Sequence, residues 1–512
     1  MGPALGLLAA AAVLAGWVFT NPVGGSPDEL NHVLRAEAVG RGDLSGRANP
    51  ELAALDPAAM PAKACCDTDN PARLRWVQRG ARLVDVPPAL DFGACFDLPP
   101  GSIGSCVDGG RRGPGVGEKL TTLGTLEPGP YVLPGLATRL AGDPLGAVRW
   151  ARAANALVTL VLLGLAVWVL RSPPGGGGEG GGGGGGLAWV GLVVAVSPMV
   201  LFVGASPAPS ALEVAGSLCF AAALVRLARA PDQPAGRSVW VVLAVGGAAL
   251  AGSRSLGPVW VVLDVLAVAA LAGWRRLWMT IRGGRGWAWG ALAVVAVVAA
   301  STVGWELTHQ PGVPFDVGFF FHELGPSVED LPRVQRELVG VFGPIDIPLP
   351  AAARAVWTVL LAGLFVAALV VGRRRQRAVL GSVLVGAAVV TFLVSSALLR
   401  QNGFQVQGRH VLAFFVLAPL LAGEVLRANR DRLPWARRSG VIVGVVAAIA
   451  VAVHGVGLWT NLTNYDGPAA DRLDSARPWV WAAAAVLGGV VALATALTAR
   501  RRRASRRPTP NW

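Results

Sequence analysis

Residues 351–399 read AAARAVWTVLLAGLFVAALVVGRRRQRAVLGSVLVGAAVVTFLVSSALL. Two apolar runs, 351–371 and 378–399, flank the basic cluster Arg373, Arg374, Arg375 and Arg377. Crossing a hydrocarbon core of roughly 30 Å takes about 20 mostly apolar residues, and each run meets that length. Arginines between two such runs mark the cytoplasmic turn of a transmembrane hairpin. About twelve stretches qualify on this test, near 3–20, 150–170, 187–204, 210–226, 238–253, 257–274, 286–306, 351–371, 378–399, 410–427, 439–460 and 478–498.

Composition agrees. The chain has 512 residues, 53% hydrophobic and 15% charged, with a mean hydropathy of +0.53. A soluble domain carries about 25% charge. A soluble enzyme, a disordered chain and a collagen-like fibre are excluded, and an all-α integral membrane protein remains. The net charge of +14 does not argue for nucleic acid, because cytoplasmic arginines raise it anyway.

Arginine placement sets the expected orientation. Arg226, Arg229 and Arg237 share one loop; Arg275, Arg276, Arg282 and Arg285 share another. Arg427, Arg430, Arg432, Arg437 and Arg438 fall in a further one, and Arg500 to Arg503 in the tail. With both termini inside, all of these become cytoplasmic. The run 1–20 lacks a basic n-region and a small-residue cleavage site, so it reads as an uncleaved anchor. The expected organisation is therefore anchor 1–20, extracytoplasmic segment 21–149, spans two to seven in 150–306, a second outer segment 307–350, spans eight to twelve in 351–498, and a basic tail 499–512. The outer segments are expected to form short amphipathic helices, with 126–140 at the membrane interface. The glycine tract within 171–186 reads as a cytoplasmic linker.

Four of the five cysteines, Cys65, Cys66, Cys95 and Cys106, lie in segment 21–149. An even set in an oxidising compartment points to two disulfides. Zinc is the rival reading, but no histidine stands near them. Cys219, inside a span, reads as packing.

Unusual polar residues gather at the outer face. Pro27-Asp28-Glu29 reads as a helix start, and Asp28 and His32 share a helix face with Arg35 beside them. Glu213 lies one turn inside the fourth span, and Arg254 sits in the turn 252–257. Asp346 falls in 342–348, and Arg409-His410 opens the tenth span. Singly, each reads as a cap, a turn residue or a headgroup anchor. Jointly they point to a site, because ionisable groups at membrane depth cost about 2.5–3.5 kcal/mol each and tend to pair or line cavities. Asp264 lies deeper, as an arginine partner or an ion-path residue. Trp150, Trp260 and Trp305 read as interfacial anchors. No phosphate-binding loop, His-Glu-x-x-His or Gly-x-Ser-x-Gly motif occurs. Asn461-Leu462-Thr463 fits a glycosylation sequon, a match frequent by chance.

The ordered series Ser26-Pro27-Asp28-Glu29 with His32 and Arg35, Tyr131-Val132-Leu133-Pro134, Ser197-Pro198-Met199 and Pro209-Ser210-Ala211-Leu212-Glu213 resembles the bacterial membrane family called domain of unknown function 2142. Arg254-Ser255-Leu256-Gly257, Phe342-Gly343-Pro344-Ile345-Asp346 and Gln407-Gly408-Arg409-His410 continue the resemblance, which spans residues 1 to about 430. Two departures stand out: Ala208 where the pattern favours asparagine, and His410 where an aromatic is commoner.

That family resembles the GT-C-type glycosyltransferases, which implies a GT-C-like fold and a polyprenyl-phosphate sugar donor. The acceptor would be an envelope glycan, lipid or protein, at the outer face of the bacterial cytoplasmic membrane. Asp28 or Glu29 would serve as base, and Arg254 and Arg409 would hold phosphate. His32, Arg35, Glu213, Asp346 and His410 would bind substrate. The resemblance specifies no cofactor, and a divalent metal beside the acids is left open. Two alternatives remain: a transporter or flippase of lipid-linked glycans, and a noncatalytic envelope assembly partner. Transporters place substrate groups near the midplane of repeated halves, whereas these residues gather at one face without a repeat.

Overall fold

The computed structural model describes residues 3–55, 71–87, 90, 117–171, 186–229, 235–310, 312, 316–403, 405–434 and 436–464. The apolar runs become helices of one bundle. In chain order they are α1 (Pro3–Thr20), α2 (Glu29–Gly40), α3 (Pro71–Gly80), α4 (Val132–Thr138), α5 (Pro144–Arg171), α6 (Gly186–Ala195) and α7 (Pro198–Gly204). They continue with α8 (Ser210–Arg229), α9 (Arg237–Ala251), α10 (Gly257–Ala272), α11 (Trp274–Gly283), α12 (Arg285–His309), α13 (Val317–Glu329) and α14 (Leu331–Gly340). The last are α15 (Ala351–Val371), α16 (Arg374–Asn402), α17 (Gly408–Phe415), α18 (Leu417–Ala428) and α19 (Ser439–Thr463).

Among the described residues seven helices are long and apolar enough to cross a membrane, or nine if each of two bent pairs counts as one span. The expected twelve are not confirmed. The fifteen residues of α9 rise only about 22 Å at 1.5 Å each, short of a hydrocarbon core of roughly 30 Å. The run 478–498, the tail 499–512, the glycine tract 172–185 and Cys65, Cys66, Cys95 and Cys106 lie outside the described residues.

Both bends have a local cause. α6 and α7 meet at 65°, where Pro198 withholds a backbone donor and crowds the preceding turn. α10 and α11 meet at 107° across Gly273, which reaches a φ of 111° at little cost because it has no β-carbon.

The bundle has two chemically distinct ends. α8 starts at Ser210 and finishes about 30 Å away at Arg229. There Arg229 donates to Glu424 at 2.8 Å and to the Leu170 carbonyl at 2.7 Å. The arginine-bearing turns at 273–285 and 372–377 lie at this same end, since the helices alternate in direction. The aromatic rings of Trp17, Phe202 and Phe342 meet edge-on or tilted, with centroids 4.9–5.4 Å apart.

The outer segments hold the short helices α2, α3, α4, α13 and α14, and strands beside them that the sequence reading did not include. β1 (Arg47–Ala48), β2 (Arg82–Val86) and β3 (Gly117–Thr121) form an antiparallel sheet in that order. In β2, Val84 and Val86 are buried while Asp85 between them faces water, the period-two pattern of a strand. This sheet shares a small core with α2 and the start of α5, through Val33, Leu34, Val84, Val86 and Val148. In the second outer segment β4 (Val341–Phe342) pairs with β5 (Ile347–Pro348).

α2 and α4 cross backbone to backbone. A β-carbon on Gly135 would sit 2.0 Å from the Ala36 carbonyl oxygen, and one on Gly40 2.2 Å from that of Gly135. This contact brings Tyr131, at the head of α4, over α2.

Candidate functional site

A cavity of about 600 Å³ opens at the end of the bundle away from the arginine loops. Asp28, His32, Glu213, Arg254, Arg409 and His410 all line it. Four separate parts of the chain supply them: the α2 start, the α8 start, the 252–256 turn and the α17 start.

Asp28 is the N-cap of α2 but does not cap it with its side chain. Its φ of 56° is left-handed, a conformation that aspartate tolerates better than most residues. The carboxylate instead accepts from Arg409 Nη2 at 2.5 Å and remains 41% exposed. Arg409 is buried; its Nε donates to Gln407 Oε1 at 2.7 Å and its Nη1 to the Pro27 carbonyl at 3.3 Å. The segment 405–407 leading into α17 is held by α14, where Arg333 pairs with Asp330 and Glu337. Arg333 also donates to the Val406 carbonyl at 2.9 Å, and the Gly408 amide donates to Glu337 Oε2 at 2.6 Å.

Glu29 is placed differently. Its two oxygens accept from Arg152 Nε and Nη2, both at 2.6 Å. The Gly24 amide donates to Oε2 at 2.7 Å. Arg152 spends its remaining donors on the carbonyls of Val18, Asn21 and Pro22. The pair is buried and does not line the cavity. It pins the turn after α1, and Asn461 tightens that turn by donating to Asn21 Oδ1 at 2.8 Å. The sequon asparagine is thus fully buried.

His32 Nδ1 lies 2.8 Å from the Tyr131 hydroxyl, with the rings stacked. Burial drives the His32 pKa down to about 3, helped by Arg409 and Arg254 and opposed by Asp28. The imidazole is therefore neutral at physiological pH. Burial also raises the Tyr131 phenol above its ordinary value, against the pull of Arg35 and Arg254.

Glu213 is fully buried. Its Oε1 accepts from Trp260 Nε1 at 2.8 Å, and its Oε2 faces Arg254 Nε at 3.7 Å. That gap is too long for a hydrogen bond, and Glu213 Oε2 has no hydrogen-bond partner among the described residues. Burial lowers the Arg254 pKa, and Glu213 partly restores it. Trp260, read as an interfacial anchor, is instead buried as the Glu213 donor.

Three expected residues lie elsewhere. Arg35 is buried under the 122–127 loop and donates to the Leu44 and Leu126 carbonyls, both at 2.6 Å. Asp346 sits exposed in the β4–β5 turn, while Phe342 of the same motif fills the core. Asp264 has Ser217 as its partner, at 3.3 Å, rather than an arginine. The reading of the sequence passed over Arg152, Arg333 and Glu337. The signal for Arg152 was present as an arginine just inside the start of a span, where charge is costly.

The family described as "Predicted membrane protein (DUF2142)" matches residues 12–418. The chain belongs to this family. No curated protein matches it. Among solved structures it is similar to the crystal structure of ArnT from Cupriavidus metallidurans bound to undecaprenyl phosphate. The identity is 16%, the match covers 96% of this chain and 76% of that chain, and the TM-score is 0.42. A likeness at that score carries no argument about this member of the family.

Proposed function

We propose that this protein is a membrane glycosyltransferase that moves a sugar from a polyprenyl-phosphate donor to a hydroxyl-bearing envelope acceptor. The observation that carries the reading is the shared cavity of Asp28, Glu213, Arg254 and Arg409 at the end of an apolar bundle. It combines a partly exposed carboxylate with two guanidinium groups, beside helices that lead into lipid.

The chemistry needs both. The acceptor oxygen attacks the anomeric carbon while its proton passes to the Asp28 carboxylate. The bond from that carbon to phosphate oxygen breaks, and polyprenyl phosphate leaves with the electron pair. Arg409 and Arg254 meet the growing negative charge as fixed donors. Arg409 then exchanges Asp28 for phosphate, which breaks the resting ion pair as the donor arrives. Glu213 orients Arg254. His32, held neutral by burial, positions a sugar hydroxyl. Glu29 takes no part as base, because Arg152 occupies both of its oxygens. The active face would be extracytoplasmic, opposite the arginine loops.

Broken helices also occur in transporters. Neither break here, at 196–197 or at Gly273, lines the cavity, which favours the enzyme.

The test is purified protein incubated with polyprenyl-phosphate sugars, with released polyprenyl phosphate read by mass spectrometry. Release by the wild type and loss in Asp28→Asn and Arg409→Ala supports the reading. Turnover that survives Asp28→Asn sinks it. Saturable lipid binding without turnover, in the presence of acceptor lipids, returns the transporter to the front.

A further inference from the structure

The same cavity holds a second polar cluster that the transfer chemistry leaves unused. Glu127 stands in the loop after β3, and Glu306 and Gln310 stand at the cavity end of α12. Thr302 Oγ1 lies 3.1 Å from Glu127 Oε1, and Gln310 Nε2 donates to Glu306 Oε1 at 3.3 Å. Gln310 Nε2 and Trp305 Nε1 also donate to the Thr125 carbonyl, at 3.2 and 2.8 Å. Both carboxylates are therefore supported by neutral donors. Among the described residues neither makes an ion pair with an arginine.

Two atoms in this cluster have nothing to bond. Thr125 is 2% exposed and lines the cavity, and its hydroxyl lacks a hydrogen-bond partner among the described residues. The same holds for Glu127 Oε2, a buried oxygen. Leaving such groups unsatisfied is costly, more so for a charge, so they mark where a ligand supplies the missing bonds.

The donor's phosphate does not fit, since two carboxylates repel it. A hard cation prefers six or more oxygens, and no group of three acidic, histidine or cysteine residues gathers among the described residues. A sugar ring fits each feature. Its hydroxyls donate to Glu127 and Glu306 and accept from Thr125, and Trp76 from α3 lines the same cavity.

We infer that Thr125, Glu127, Glu306 and Trp76 form the acceptor subsite, holding the hydroxyl-rich ring that receives the transferred sugar. This rests on the transfer reading above and adds to it the chemical class of the acceptor. Arg254 and Arg409 then mark the donor half of the cavity, and Glu127 and Glu306 the acceptor half.

Saturation-transfer NMR on the full chain in detergent tests this, with methyl glucoside, galactoside and mannoside as probes. Polyprenyl-phosphate binding, measured in parallel, serves as the control for the donor half. At least one glycoside is expected to bind saturably, and Glu127→Gln and Thr125→Val are expected to weaken it about tenfold or more while lipid binding stays at the wild-type level. The inference is overturned if no glycoside binds the wild type, or if the variants bind it unchanged. Either result leaves transfer itself standing if Asp28-dependent release persists. Glycoside binding that depends on Glu127, with no release by the wild type, would instead remove the transfer reading and keep a sugar site. Glutamine matches glutamate in shape and Thr302→Val offers a second route to the same cluster, so a folding defect in one variant does not decide the matter.

Discussion

Two acid–arginine pairs, built on adjacent carboxylates, sit in opposite settings. Glu29 and Arg152 form a buried pair in which every guanidinium donor finds an acceptor. Asp28 and Arg409 form a pair that faces the cavity, with the carboxylate 41% exposed. The first is a lock, since breaking a buried pair strands a charge away from water. The second is a latch, since water or an incoming anion can take over either partner. Charge alone does not make a site; the number of satisfied donors and the access of solvent decide which pair is available for chemistry.

The strongest challenge to this contrast is Asp28→Asn. Its expected effect is a loss of polyprenyl-phosphate release of about 10²–10⁴-fold, with the unfolding midpoint in detergent nearly unchanged. A large fall in stability with modest loss of turnover would reverse the assignments of lock and latch. Arg152→Leu should do the opposite, destabilising the fold by about 3–5 kcal/mol as Glu29 is left buried and unpaired. Thermal unfolding of detergent-purified protein reads this directly. Arg254→Ala should cost about 10²–10³-fold in release, and Arg254→Lys should recover only part, because ammonium lacks the planar fork. Tyr131→Phe removes one hydroxyl from His32 and is expected to cost about 1 kcal/mol.

A separate effect concerns pH. His32 titrates at about 3 in the folded chain, below about 6.5 in an unfolded one. The unfolded state thus takes up its proton first, so stability falls as pH drops from 6.5 toward 3. His32→Gln should flatten that part of the curve. Unfolding curves at pH 7 and pH 5 that shift equally in both proteins would contradict a buried neutral imidazole.

Much of this was legible in the linear chain. Apolar runs of membrane length became helices because the backbone in lipid must satisfy its own hydrogen bonds. The span count was less legible, since α1 and α9 are apolar but short for a crossing, and the run 478–498 lies outside the described residues. The strands β1–β3 were hidden because they are short and their partners are distant: Arg82 pairs with Thr121 and Ala48. Asp28, His32, Glu213, Arg254, Arg409 and His410 could be gathered from the sequence, since alternating spans return each to the same face. Arg35, Asp346 and Glu29 were gathered by the same rule and yet lie outside the cavity.

The sequence by itself determined a membrane bundle with its arginine loops at one end and its unusual polar residues at the other, because hydropathy and charge act locally and along the chain. It could not separate Asp28 from Glu29, which are neighbours of the same chemistry. That choice belongs to tertiary structure: Arg152 reaches Glu29 from 123 residues away and Arg409 reaches Asp28 from 381 residues away. Only packing decides which carboxylate is sealed and which meets the cavity.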